Sequence, residues 1–238
     1  MKKLGIIGGL GPMATAYFLR LLVDMTDAAT DQEHIEILLH SKPQIPDRTN
    51  YILGKSKDNP MVPMLEIGKQ LSNDGADIIA IPCITAHFFQ KELEELVKCP
   101  IIHAIQETAD YLKEEGINHV GIMATDGTIE SHLFQNIMEK NGIVCSVPST
   151  DSQVKVMQII YGDVKAGKPI EMKLFHQVSR ELFADGAQVV LLGCTELSMI
   201  KRDHEIGPGV LDVMEVLSRA CVLECGKLKD EYRHLITE

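Results

Sequence analysis

The feature of this sequence that most restricts its fold is an internal repeat. The segments "LSNDGADIIAIPCITA" (71–86) and "LFADGAQVVLLGCTEL" (182–197) share a leucine, an Asp-Gly-Ala turn, an apolar run and a cysteine eight residues after the glycine. A second match, "LGIIGG" at 4–9 with "VGIMAT" at 120–125, lies in nearly the same register. Two matches in one order indicate that the chain consists of two similar halves.

Within each half, apolar runs of strand length alternate with amphipathic stretches of helix length. The runs are "KLGIIGG", "HIEILLHS", "DIIAIPC", "PIIHAI", "HVGIMAT", "GIVCSVPS" and "QVVLLGC", and the helical stretches cover 14–28, 64–73, 90–97, 106–115, 129–141 and 172–185. Continuous apolar runs between helices are typical of strands buried on both faces of a parallel sheet. We therefore predict an α/β fold of two pseudo-symmetric domains, each a mainly parallel sheet flanked by helices, with the active site in the cleft between them. The first domain would comprise 1–104 and 210–238, and the second 105–209.

Composition excludes several classes of partner. The 238 residues include 34 acidic and 23 basic side chains, a formal net charge of −11 that repels nucleic acid and anionic lipid. The apolar start is broken by glycines and a proline, and no apolar run reaches the roughly 20 residues of a membrane span. We expect a cytoplasmic protein whose six cysteines are free thiols, and no companion residues suggest a metal site.

Two of the cysteines, Cys83 and Cys194, occupy equivalent positions at the ends of repeated apolar runs. Parallel strands present their C-terminal ends to ligands, so we expect the two thiols on opposite walls of one cleft. Thr85 and Thr195 follow them closely and suit the start of a helix, whose N-terminus lowers the pKa of a nearby thiol. The other four cysteines are expected to be small core residues.

The glycine-rich segment after the first run, "GIIGGLGPMATAY", formally fits a dinucleotide-binding motif. That motif requires an acidic residue at the end of the second strand, where this chain has His40, Ser41 and Lys42. An NADP-dependent oxidoreductase is therefore a remote alternative. We favour a tight turn at Gly9 and Gly11 that brings the backbone close to a small anionic ligand.

Two thiols facing one cleft suit the inversion of a carbon centre. A base on one face removes the weakly acidic α-hydrogen of an amino acid while an acid on the other face returns a proton, without a metal or an electrophilic cofactor. Hydrolysis by a pair of Cys83 and His87 is a competing hypothesis, but it leaves Cys194 and its matched surroundings unexplained.

Four motifs, "GIIGGLGP", "PQIPDRT", "PCITAH" and "GCTEL", together resemble the aspartate/glutamate racemase family of cofactor-independent, two-cysteine amino-acid racemases. The resemblance spans nearly the whole chain. It implies racemisation of aspartate, glutamate or a related acid without pyridoxal phosphate or any other cofactor, a pseudo-symmetric pair of α/β domains, and a homodimer.

The resemblance also implies roles for individual residues. Cys83 and Cys194 would be the acid/base pair, and the substrate would be held by Arg48 on its distal carboxylate, with help from Lys165, and by Thr85 and Thr195 on its α-carboxylate or amino group. Asp47 and Glu196 would orient or tune these groups. His87 would be either an orienting residue of the site or a residue at the surface of its helix.

The chain departs from the family pattern at residue 84. The family commonly has Cys-Asn-Thr where this chain has Cys-Ile-Thr, so Ile84 removes an amide that would meet the substrate. Substrate identity is open for that reason. Another cysteine-dependent isomerase, a decarboxylase or a hydantoin-type racemase are alternatives of the same fold. A non-catalytic binder of acidic ligands is a further alternative, which the retention of both cysteines disfavours.

Overall fold

The computed structural model describes all 238 residues, and its first sheet is parallel with the strand order β2-β1-β3. The strands are β1 (Leu4–Gly8), β2 (Ile37–Ser41) and β3 (Ile78–Ala80). Leu4 at the start of β1 pairs with Ile37 on one side and Ile78 on the other. The run "PIIHAI" adds only an isolated parallel bridge between Ile79 and Ile101, although we predicted a strand there.

The second sheet is also parallel, with the order β5-β4-β6-β7. Its strands are β4 (His119–Met123), β5 (Val144–Ser146), β6 (Val189–Leu192) and β7 (Val210–Asp212). The repeat in the sequence relates β1 to β4 and β3 to β6, which are neighbours in their respective sheets. The predicted α/β class, with parallel sheets flanked by helices, is confirmed.

Eleven α-helices connect and cover these strands. They are α1 (Pro12–Met25), α2 (Arg48–Ile52), α3 (Met61–Asn73), α4 (Gln90–Leu96), α5 (Ala104–Glu114), α6 (Asp126–Glu130), α7 (Leu133–Lys140), α8 (Thr150–Met157), α9 (Met172–Ala184), α10 (Thr195–Asp203) and α11 (Val213–Cys225). Three 3-10 turns (Asp31–Glu33, Ile84–Phe89 and Asp230–Tyr232) and a π-helical segment (Gln158–Val164) complete the elements. The single helix predicted at 129–141 is divided into α6 and α7, because the chain turns at His132 with a φ of 52°.

The apolar residues form three clusters. The largest, of 36 buried residues, lies between the two halves and includes Phe18, Ile122 and Leu217. A cluster of 17 residues, with Ile7 and Ile79, packs the first sheet against α3 and α4. A cluster of 14 residues, with Val178 and Leu192, packs the second sheet against α9. Because the largest cluster contains residues of both halves, the two halves share one apolar core.

The C-terminal segment is shared between the halves. We expected residues from 210 onward in the first domain, but β7 pairs with β6 and therefore extends the second sheet. Helix α11, which follows β7 directly, packs against α1 and α5. None of the helices combines the length and the apolar character that crossing a membrane requires.

Candidate active site

Both repeated cysteines line one small cavity at the C-terminal ends of β3 and β6. The space between its lining residues is small, about 270 Å³ with the part open to solvent included. Cys83 immediately precedes the 3-10 turn Ile84–Phe89, and Cys194 immediately precedes α10. The residue before Cys194 is Gly193, and a side chain would not fit there, because a Cβ would lie 2.9 Å from the Phe134 ring. The structure thus brings together two thiols that are 111 residues apart in the sequence.

On the second wall, Cys194 is buried and its thiol donates a hydrogen bond to Glu196 Oε2 at 2.9 Å. The Thr195 hydroxyl donates to the same oxygen at 3.4 Å. Burial, followed by the negative charge of Glu196, raises the pKa of the Cys194 thiol well above its usual value. We expected the helix N-terminus to lower the pKa of this thiol, and that expectation is wrong because burial and the carboxylate outweigh it.

Lys165 provides the positive charge on this wall. Its Nζ lies 3.7 Å from Glu196 Oε1 and 4.1 Å from the centroid of the Tyr161 ring. Burial lowers the pKa of Lys165, but Glu196 and then Cys194 raise it more strongly, so the pKa lies above its ordinary value. Lys165 is therefore a cation at neutral pH and borders the cavity.

On the first wall, the buried guanidinium of Arg48 lies beside Cys83. It donates hydrogen bonds to the carbonyl oxygens of Leu10 at 2.9 Å, Pro46 at 3.0 Å and Ile45 at 3.4 Å. Its Nε is buried without a partner. Burial lowers the pKa of Arg48, but the negative charge of Cys83, and then Asp47, raise it above its usual value. Arg48 therefore joins two loops and keeps one donor unused.

A hydrogen bond between the halves closes the cavity. Tyr161, in the π-helical segment, donates its hydroxyl to Asp47 Oδ2 at 3.1 Å. Asp47 also caps α2, accepting from the Asn50 backbone N–H at 2.8 Å. It thus serves both as a helix cap and as a residue of the site. Segments of π-helix are rare and often occur at functional sites, which suits the position of Tyr161.

Three buried threonine hydroxyls meet at the floor of the cleft. Thr85 Oγ1 lies 3.2 Å from Thr125 Oγ1 and 3.0 Å from Thr128 Oγ1, and the last two are 3.1 Å apart. Thr85 belongs to the first half and the other two to the second. Hydroxyls can both donate and accept, so this cluster can turn its protons toward an anion that enters the cavity.

The glycines of the first loop lie outside this cavity. Gly9 has a φ of 89°, and its N–H donates to Thr15 Oγ1 at 2.9 Å. Gly9 and Gly11 line an outer recess that also reaches Lys165 and Glu196. The tight turn is present, but the Gly9 N–H is already occupied and is not aimed at a ligand.

His87 also lies outside the cavity. Its ring is buried, with Nε2 at 3.2 Å from the Ile81 carbonyl oxygen and Nδ1 at 3.0 Å from Gln90 Oε1. Burial, followed by the neighbouring His103, lowers the pKa of His87 to about 3. We predicted either an orienting role at the site or a surface position. The surface position is wrong, because the ring is buried as a neutral histidine that anchors the segment carrying Cys83.

Sequence reasoning missed several residues of the cavity: Leu10, Thr49, Thr125 and Tyr161. The sequence contained an indication of Thr125, since this residue ends the segment "VGIMAT" that repeats the glycine-rich first strand. The sequence contained no such indication of Tyr161, because this residue lies outside the two repeated segments. Ile84 is buried and also lines the cavity.

Two parallel sheets with a shared cavity define a two-domain α/β protein whose site lies between its halves. The model of the Asp/Glu/hydantoin racemase family matches residues 7–221. The structure is similar to Picrophilus torridus aspartate racemase, with 31% sequence identity, a TM-score of 0.82 and 98% of each chain covered. The chain therefore belongs to the Asp/Glu/hydantoin racemase family and is an isomerase of the racemase type.

Two further similarities agree with this. The broad specificity amino-acid racemase RacX of Bacillus subtilis (strain 168) is 22% identical over 225 residues, which cover 92% of this chain and 96% of RacX. Glutamate racemase from Francisella tularensis subsp. tularensis SCHU S4, solved in complex with D-glutamate, shares the fold with a TM-score of 0.65. That match has 18% identity and covers 94% of this chain and 81% of the other. The family resemblance inferred from the four motifs is confirmed.

Proposed function

We propose that this protein is a racemase of aspartate, glutamate or a closely related acidic amino acid, independent of pyridoxal phosphate. The observation that supports this most is the pair of thiols from equivalent positions of the two halves in one cavity. The two thiols have neighbours of opposite charge. The cation Arg48 lies beside Cys83, and the carboxylate of Glu196 accepts a hydrogen bond from Cys194. A base and an acid on two walls are what a two-base inversion requires.

In this proposal the two thiols begin in different protonation states. Cys83, beside the Arg48 guanidinium, is assigned the role of the base, whereas Cys194 donates its thiol proton to Glu196 and is assigned the role of the acid. Cys83 takes the α-proton, the electron pair of the broken C–H bond delocalises into the α-carboxylate, and Cys194 delivers its proton to the opposite face. The product has the inverted configuration, and the next cycle begins from Cys194 as thiolate.

Binding follows from the polar groups of the cavity. We infer that the hydroxyls of Thr85 and Thr125 donate to the α-carboxylate, since both line the cavity and a hydroxyl can turn its proton to a new acceptor while it accepts from Thr128. The distal carboxylate would meet Lys165 and the unused Nε of Arg48. The cavity between these groups is narrow. Ile84 narrows it with an apolar surface, which favours a short acidic side chain over a hydantoin ring.

The similarity to an aspartate racemase at 31% identity supports the acidic substrate. A homodimer and a cytoplasmic location are further parts of the proposal. The free side of the edge strand β2, where Leu39 is 41% exposed, is compatible with a second copy. Light scattering at several protein concentrations would test the dimer.

The experiment that tests this function is deuterium exchange at Cα in D₂O, screened over both enantiomers of all common amino acids. We expect exchange and racemisation of aspartate or glutamate by protein without added pyridoxal phosphate, and activity that persists after dialysis against a chelator. The double variant Cys83→Ala/Cys194→Ala is the control and should show no exchange. Exchange confined to neutral amino acids, or activity that needs an added cofactor, would contradict the proposal.

A further inference from the structure

A buried polar cluster behind α10 takes no part in the chemistry described above. Asp212 is completely buried at the end of β7, where its Oδ1 accepts from the Ser198 hydroxyl at 2.7 Å and from the Met214 backbone N–H at 2.9 Å. Its other oxygen, Oδ2, is buried without a hydrogen-bond partner. An unsatisfied carboxylate oxygen in a core is costly, so the presence of Asp212 here requires an explanation.

The Asp212 contacts lead directly to the second cysteine. Ser198 lies on α10, four residues after Cys194, and α10 presents Cys194, Thr195 and Glu196 to the cavity through its first turn. Asp212 caps α11 at the same time. One carboxylate therefore joins the helix that carries half of the site to the helix that packs on the first half of the molecule.

We propose that Asp212 is a positioning residue, which holds α10 through Ser198 and thereby sets the place of the Cys194 thiol in the cavity. This inference rests on the proposed acid role of Cys194. The repeat supports it, because Ser198 corresponds to His87, which anchors the Cys83 segment through the Ile81 carbonyl. Both halves therefore hold their cysteine by a buried side chain four residues further on.

Titratable groups face Asp212 from the helices packed against it: Glu215 on α11, Lys201 on α10 and Tyr17 on α1. Lys201 donates to Glu215 Oε2 at 2.6 Å. The carboxylates of Glu215 and Asp212 therefore share the positive charge of one lysine. Burial, followed by the charge of Glu215, raises the pKa of Asp212 to about 7. The folded chain therefore holds this proton more tightly than the unfolded chain does. As pH rises from about 4 to about 7, the contribution of Asp212 to stability falls.

The test measures the second thiol directly. In Ser198→Ala, alkylation of Cys194 by iodoacetamide, followed by peptide mass spectrometry, should be about threefold or more faster than in the wild type, because α10 is less firmly held. Alkylation of Cys83 should stay within about twofold. For racemisation, kcat should fall about 10-fold while KM changes little, since the acid is displaced and the binding groups are not.

Matched variants separate positioning from general destabilisation. Ser218→Ala removes an equally buried serine, whose hydroxyl bonds only to the Met214 carbonyl within α11, and should leave both alkylation rates unchanged. Asp212→Asn keeps an oxygen that can accept from Ser198, so it should stay closer to the wild type than Asp212→Ala. The ratio of Cys194 alkylation in the wild type to that in Asp212→Asn should change between pH 6 and 9, because only the wild type carries a carboxylate that ionises there.

Unchanged Cys194 alkylation and unchanged kcat in Ser198→Ala would overturn the proposal, as would a ratio that is constant with pH. A wild type with no exchange activity on any amino acid would refute the proposed function instead. The alkylation measurements would still decide whether Asp212 positions the thiol.

Discussion

The two cysteine sites are equivalent in backbone and different in charge. Cys83 and Cys194 each follow a buried strand and precede a helical turn, yet Cys83 lies beside the Arg48 guanidinium while Cys194 donates to the Glu196 carboxylate. A cation stabilises a thiolate and a carboxylate stabilises a thiol. The repeat therefore accounts for the positions of the two reactive groups. Their charged partners differ, because Arg48 belongs to a loop outside the repeat and Glu196 stands where the first half has Thr85.

The anchors of the two sites differ in the same way. His87 and Ser198 occupy matched positions, but His87 bonds to a backbone carbonyl of its own half and Ser198 bonds to Asp212. The pKa of His87 is lowered by burial, whereas that of Asp212 is raised by burial and by Glu215. The contribution of His87 to stability therefore rises as pH increases from about 3 to 6.5, whereas that of Asp212 falls as pH increases from 3.8 to about 7.

Removing either thiol tests whether both sites are needed. In Cys83→Ala and in Cys194→Ala, racemisation should fall by at least about 1000-fold, because each inversion needs both an acid and a base. The remaining thiolate can still exchange the α-proton on its own side. Each variant should therefore exchange deuterium into one enantiomer, and the two variants should prefer opposite ones. NMR of both enantiomers in D₂O measures this, and near-full racemisation by either variant would refute the two-base mechanism.

Neutralising Glu196 should make the second site more like the first. In Glu196→Gln the carboxylate that raises the pKa of Cys194 is lost while Lys165 remains, so the thiol should titrate at a lower pH. Without its partner the thiol is also less well oriented, and kcat should fall about 10-fold. The pH dependence of Cys194 alkylation measures the first effect. Glu205→Gln, at an exposed position, is the control, and an unshifted titration in Glu196→Gln would contradict the assignment.

Removing the guanidinium tests the first site. Arg48→Ala should weaken binding of aspartate by about 1.5–3 kcal/mol and slow alkylation of Cys83 at neutral pH, since both interact with the positive charge. Binding of alanine should change little. Arg48→Lys keeps the charge and should restore much of the Cys83 reactivity, and Arg20→Ala on the surface serves as control. Equal losses for aspartate and alanine would show that Arg48 acts only as a structural link between loops.

Removing the hydroxyl of Tyr161 affects both sites only indirectly. Tyr161→Phe deletes the hydrogen bond to Asp47 across the cleft, which is worth about 1 kcal/mol, and should change kcat/KM by less than about fivefold. Steady-state kinetics with Tyr232→Phe as control would measure this. A loss comparable to that of the cysteine variants would mean that Tyr161 contacts the reacting atoms.

The sequence was sufficient for the fold class and for the two thiols, because both depend on local patterns. Parallel strands are recognisable as buried apolar runs between helices, and the repeat placed Cys83 and Cys194 at equivalent strand ends. The limits of the local pattern are visible at His132, where a left-handed residue interrupts a helical stretch, and at β7, a strand of three residues that joined the second sheet. The place of residues 210–212 in the second sheet is decided by their pairing with β6 rather than by their own sequence.

What only the tertiary structure decided is the electrostatics of the site. Sequence proximity placed Thr195 and Glu196 beside Cys194, but the contacts of Lys165 with Glu196 and of Tyr161 with Asp47 join segments far apart in the chain. The occupied hydrogen bonds of Arg48, the hydroxyl cluster at Thr85 and the neutral state of His87 arise in the same way. The pKa of a group depends on its burial and on the charges around it, and both are properties of the folded chain rather than of any segment.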